Sequence, residues 1–194
     1  MIEKISNKEF FDIWKDICKI NKKKLLECWN TAGEFTKLIL KYENSISYQV
    51  AKALKMNIAY EYYSVDAIYY VDENCVKENS KNKTWTQTNG GIWLTKFKIV
   101  FEHENLPYGK NGAYQEISHL INLNSELKVL VTYRDKEIIK DFIEDLNSVF
   151  PKDVLDDTSI LVIVGFKESS NIIWKGYILR SFRKRRNLTN ASTL

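Results

Sequence analysis

Glu102 and Glu104 stand one residue apart at the end of the run Phe97-Lys98-Ile99-Val100-Phe101-Glu102-His103-Glu104-Asn105. The apolar lead-in reads as a strand. Side chains in a strand alternate faces, so Val100, Glu102 and Glu104 share one side, while Ile99, Phe101 and His103 share the other. Paired carboxylates at the end of a buried strand repel each other and resist leaving water, and a divalent cation between them removes both costs. The residue types therefore point to metal-assisted chemistry. Cys18, Cys28 and Cys75 show no C-x-x-C spacing, and His103 and His119 are too few for a His-rich centre. Oxygen ligands remain, and they suit Mg²⁺, Mn²⁺ or Ca²⁺.

The elements that must position those acids follow from periodicity. Ser6-Asn7-Lys8-Glu9 and Thr31-Ala32-Gly33-Glu34 both match the capping box that opens a helix. Phe10, Phe11, Ile13, Trp14, Ile17 and Ile20 recur at helical spacing behind the first, and a further helix is expected from about Ser45 to Leu54. The N-terminal part, residues 1–56, is thus expected to be helical. From Ile58 to Val71 the composition turns to Tyr, Ile, Val and Ala, which predicts two strands broken near Ser64. Residues 72–84 read as a polar loop, and Ile92 to Glu104 as a long strand or a strand pair. A helix over Ala113–Leu123, a strand over Leu127–Tyr133 and a helix over Lys136–Phe150 come next. Strands over Ile160–Phe166 and Ile172–Leu179 complete the pattern, with a bulge expected at Gly176. This order predicts an α/β protein: a single mixed β-sheet flanked by helices, in one domain over residues 1–194.

Bulk properties fit that picture. A chain of 194 residues, 44% hydrophobic and 28% charged, suits one soluble domain. No apolar run reaches the ~20 residues of a membrane span, and Met1 to Ser6 lack a signal-peptide core, so a cytoplasmic protein with no membrane partner is expected. The net charge is +4. Much of it comes from Arg180, Arg183, Lys184, Arg185 and Arg186, in a basic tail over residues 180–194. Such a cluster suits a polyanion, although a solvated tail explains it equally well.

The strand segment Ser64-Val65-Asp66-Ala67-Ile68-Tyr69-Tyr70 and the segment Ile99-Val100-Phe101-Glu102-His103-Glu104 are joined by about thirty residues. A helix and a hydrophobic strand follow. Together they resemble the PD-(D/E)XK nuclease superfamily, to which type II restriction endonucleases belong. The resemblance spans Glu43 to Tyr133, with residues 58–133 as the candidate catalytic core. It implies a restriction-endonuclease-like core and a Mg²⁺- or Mn²⁺-dependent deoxyribonuclease of restriction or defence type, acting on double-stranded DNA. Asp66 and Glu102 would hold the metal, helped by the His103 backbone carbonyl and by Glu43, and Glu104 would act as general base or second-metal ligand. Two departures stand out: Val65 replaces the usual proline, and Glu104 replaces the usual lysine, giving Glu-x-Glu.

Accessory candidates are Lys98, four residues ahead of Glu102 on the same strand face, and Gln115 with His119, one helical turn apart after the acidic strand. The imidazole of His103, on the opposite face, is given no role. Tyr60, Tyr62, Tyr63, Tyr69 and Tyr70 are expected to pack in the sheet rather than stack on bases. The missing lysine leaves an alternative, a catalytically inactive nucleic-acid-binding or assembly protein on the same fold. Oligomeric state is open, with a homodimer among the options.

Overall fold

A computed structural model describes residues 4–41, 43–77, 92–105, 110–149, 159–179 and 191–193. Four helices lead: α1 (Asn7–Ile20), α2 (Lys22–Cys28), α3 (Ala32–Leu40) and α4 (Ile46–Ala53). Ser6 caps α1 by accepting from the Glu9 N–H at 3.1 Å, and Ser45 caps α4 by accepting from the Tyr48 N–H at 3.2 Å. Phe10, Phe11 and Trp14 are buried as their spacing requires, but Ile20 is 76% exposed. The helix stops there because Asn21 turns the chain, its amide donating to Ile17 O and Gln49 Oε1. The lysines that follow open α2, whose Leu25 is buried.

The strands are β1 (Asn57–Tyr62), β2 (Val65–Tyr70), β3 (Cys75–Lys77), β4 (Ile92–Leu94), β5 (Phe97–Glu104), β6 (Ser125–Tyr133), β7 (Ile160–Glu168), β8 (Asn171–Leu179) and β9 (Ala191–Thr193). Helices α5 (Lys110–Asn122) and α6 (Ile139–Val149) are interleaved among them. One mixed seven-stranded sheet runs β1-β2-β5-β6-β7-β8-β9, and β3 with β4 forms a separate pair. Strands β1, β2 and β5 are antiparallel neighbours, whereas β5, β6 and β7 run parallel. Helix α5 makes the crossover from β5 to β6. The expected α/β architecture, with a mixed sheet flanked by helices and a helical N-terminal segment, is the one found.

Each face of the sheet has its own core. Helices α1 to α4 bury Trp14, Phe35 and Ile39 against Tyr69, Ile99, Phe101 and Val131. Helices α5 and α6 bury Ala113, Ile117, Leu120 and Ile143 against Ile68, Val100, Leu130 and Val162. Gly176 is no bulge: pairing of β7 with β8 is continuous through Ile163 and Gly176. A Cβ there would lie 3.2 Å from the Phe11 ring, so the glycine makes room for α1. Of the expected basic tail, residues 191–193 form β9 and pair with β8. Arg180, Arg183, Lys184, Arg185 and Arg186 lie outside the described residues. Among the described residues no helix is long and apolar enough to cross a membrane.

Candidate metal centre

The acids meet at the edge where the parallel strands end. β2 runs antiparallel to β5, so its first residues lie beside the last residues of β5, with Ala67 opposite Phe101. A tight turn through Tyr63 and Ser64 feeds β2, and both residues hold positive φ (53° and 61°) without being glycine. This is the conformation of the two-residue turn that matches strand twist. One residue into β2, the backbone N–H of Asp66 donates to Glu102 Oε2 at 3.0 Å, and Asp66 Oδ2 accepts from the backbone N–H of His103 at 2.7 Å. Each carboxylate is thus pinned by the other strand's backbone.

Alternation on β5 holds. Glu102 is 1% exposed and reaches toward α5, where its Oε1 lies 3.1 Å from His119 Nδ1. Glu116, one turn earlier on α5, brings its Oε2 to 3.3 Å from the same nitrogen. A nitrogen can present one proton, so two carboxylates compete for one donor. Ligand atoms of Glu102, Glu116 and His119 all lie within 4.8 Å of one another. Two bonds of ~2.0–2.6 Å span that distance, so the trio fits one bridging cation. The sequence reading pairs His119 with Gln115; in the structure Gln115 is exposed and Glu116 is the partner. A helical wheel carries the signal, because Glu116 sits about 60° from the buried Ala113 direction and Gln115 about 160°.

Crowding shows in the electrostatics. Burial, opposed by the His103 N–H, raises the Asp66 carboxyl to about 6, and the charges of Glu116 and Glu104 add to the rise. Glu102 is pushed far above the carboxylate range, first by burial and then by Glu116 and Asp66. Metal-free, this centre holds protons at a pH where free carboxylates have lost them. A cation would take their place.

Glu104 is buried beside them, against the first turn of α5: a Cβ on Gly112 would sit 1.9 Å from Glu104 Oε2. Its charge also acts on Arg134, a buried guanidinium just past β6 that donates to Thr132 Oγ1 and Tyr133 O and stacks over the Phe142 ring at 4.3 Å. On the other face His103 is stacked on Phe35, with its Nε2 2.9 Å from the Tyr133 hydroxyl. Burial holds its imidazole down at about 3, so it is neutral.

Other expected candidates are elsewhere. Lys98 is bound to Glu126 Oε1 at 3.0 Å, at the far end of β5, four residues or ~13 Å from Glu102. Glu43 is exposed just ahead of α4, whose buried side packs on the opposite face of the sheet. Tyr69 is buried in the core as expected, whereas Tyr63 is 63% exposed. No family model matches the chain, and neither a curated protein nor a solved structure matches it. The chemistry of the centre is therefore read from its own geometry.

Proposed function

We propose that the chain is a divalent-metal-dependent phosphodiester hydrolase acting on nucleic acid, with the PD-(D/E)XK nucleases as the family it resembles. One observation carries this reading: Asp66 and Glu102, bound to each other's backbone across adjacent strands, lie beside Glu104, Glu116 and His119. Four acids crowded beside one imidazole are costly without a cation. The order strand β2, strand β5, helix α5, strand β6 is also the one on which the resemblance rests.

Glu102, Glu116 and His119 are the donors for the ion, with Asp66 beside them. A mixed imidazole and carboxylate set favours Mn²⁺ over Mg²⁺, because Mg²⁺ prefers oxygen alone. A bound ion there would polarise a phosphate oxygen and acidify water. The residues do the rest. Asp66 and Glu102 keep their geometry through the crossed backbone bonds. Glu104, next to the cluster, is placed to take the proton of an attacking water. Arg134, close to Glu104, offers a fixed positive charge for a phosphate oxygen, the service a lysine usually performs. Lys98 does not supply it, being bound to Glu126. That engagement favours the second reading, a nucleic-acid-binding protein with a silent site.

Incubating the purified chain with plasmid and with single-stranded DNA in Mn²⁺, Mg²⁺ or chelator separates the two. The first reading expects cleavage in Mn²⁺, less in Mg²⁺, and none with chelator or with Glu102→Gln. Absence of cleavage on every substrate, with binding retained, would establish the second.

A further inference from the structure

A cleft of about 720 Å³ opens at the carboxyl ends of β5, β6 and β7, against the turn between α2 and α3. It adjoins the acids: Asn105 in its wall directly follows Glu104, and Arg134, also in its wall, feels the Glu104 charge. Its volume falls in the ~300–1,000 Å³ range of small-ligand sites and is far too small for a duplex, whose major groove alone is about 12 Å wide.

The charges of the cleft cancel. Arg134, Lys136 and Lys167 are matched by Asp135, Glu137 and Glu168, and Lys136 is ion-paired with Glu168. Apart from Arg134 at the edge beside Glu104, the cleft gives a phosphate backbone no reason to enter. It offers aromatic surface instead. Trp29 is half-buried and braced edge-on by Phe35 (5.4 Å) and Tyr133 (5.5 Å), so it cannot swing away. Asn105 commits its amide nitrogen to Ala32 O and Thr36 Oγ1, which fixes the group and leaves its carbonyl oxygen as an acceptor. Flat apolar wall, fixed acceptor, buried guanidinium and no net charge describe a receptor for a nucleobase.

The geometry points to a base-binding pocket: the cleft takes one unpaired nucleobase whose adjoining phosphate lies at Asp66, Glu102 and Glu104. This rests on the hydrolase reading and sharpens it, because the substrate becomes a strand with an unpaired nucleotide, such as a single strand or an overhang, rather than an intact duplex.

The test measures binding of the full chain, in chelator, to three labelled probes. These are a short single-stranded oligonucleotide, the same strand with abasic sites throughout, and the blunt duplex. The abasic strand keeps every phosphate and loses every base. The base-containing strand should bind about 5- to 100-fold more tightly than either other probe, the range that one base–aromatic stack provides. Trp29→Ala should erase the preference. Ala32→Trp should do the same by filling the cleft from an exposed position, which keeps the test sound if Trp29→Ala fails to fold. Equal binding of abasic and base-containing strands, duplex binding as tight as single-strand binding, or a preference that survives in Ala32→Trp would each overturn the pocket. Cleavage in Mn²⁺ is scored separately. Cleavage without base preference overturns the pocket alone, and base preference without cleavage supports the pocket and overturns the hydrolase reading alone.

Discussion

The two faces of β5 answer burial in opposite ways. On the side of α1 to α4, Phe101 and His103 lie among aromatic rings, and His103 meets the loss of water by giving up its charge. On the side of α5, Glu102 and Glu104 lie equally deep, yet they are crowded by Asp66, Glu116 and His119. The first face is settled as it stands. The second is settled only by protons or by a cation, and the proposed hydrolase reading rests on that difference. Stability and activity should accordingly respond to different residues of one strand.

The largest contrast is expected from neighbouring substitutions. Glu102→Gln should lower Mn²⁺-dependent cleavage by at least about 10³-fold, as loss of a ligand forfeits several kcal/mol of charge stabilisation. Its metal-free melting temperature should hold, since the amide replaces a carboxyl that burial and its neighbours already keep protonated. Phe101→Ala should do the reverse, costing about 3–5 kcal/mol in denaturant unfolding through the cavity it leaves. Similar losses of stability from both variants would erase the distinction between the faces.

A pH titration of metal-free stability sharpens it further. Asp66 is held at about 6, above its value in an unfolded chain, so the folded protein binds the extra proton between the two. Stability is therefore greatest below about pH 4 for this group and falls as pH rises through about 6, by roughly 2–3 kcal/mol. Asp66→Asn should flatten that fall. Saturating Mn²⁺ should reverse it, and metal affinity should increase over the same interval as protons leave. A metal-free protein that gains stability from pH 4 to 7 would contradict the crowded-acid account. The smallest effect belongs to Lys98→Met, on the same face but bound to Glu126. Cleavage should stay within about twofold of wild type, a barrier change of ~0.4 kcal/mol.

Much of this was legible in the residues, for reasons specific to each. Strand parity is a strict period of two, so the separation of Glu102 and Glu104 from Phe101 and His103 could be read without the fold. The Ser6 cap placed the start of α1, whereas Thr31, read as a second cap, precedes α3 without a side-chain capping bond. Harder to read is the rotation of α5 against the sheet, which sets Glu116 inward and Gln115 outward. Both flank His119 at helical spacing, and only the stripe of Ala113, Ile117 and Leu120 distinguishes them. Arg134 and the cleft were out of reach, since they arise where β5, β6 and β7 end together. Ile20 misled because its spacing is right while the helix ends under it.

Strand β5 is paired along both edges, to β2 and to β6, with its two faces buried in different cores. A slip of one position during assembly would thrust Glu102 and Glu104 among the rings of Phe35, Trp14 and Tyr69, away from His119, and would turn Phe101 toward Asp66 and Glu116. Mispairing of that kind is prohibitively unfavourable for buried carboxylates. The same acids that would handle a metal thus act earlier as a key: they let the nascent sheet close in a single alignment and reject its nearest neighbours.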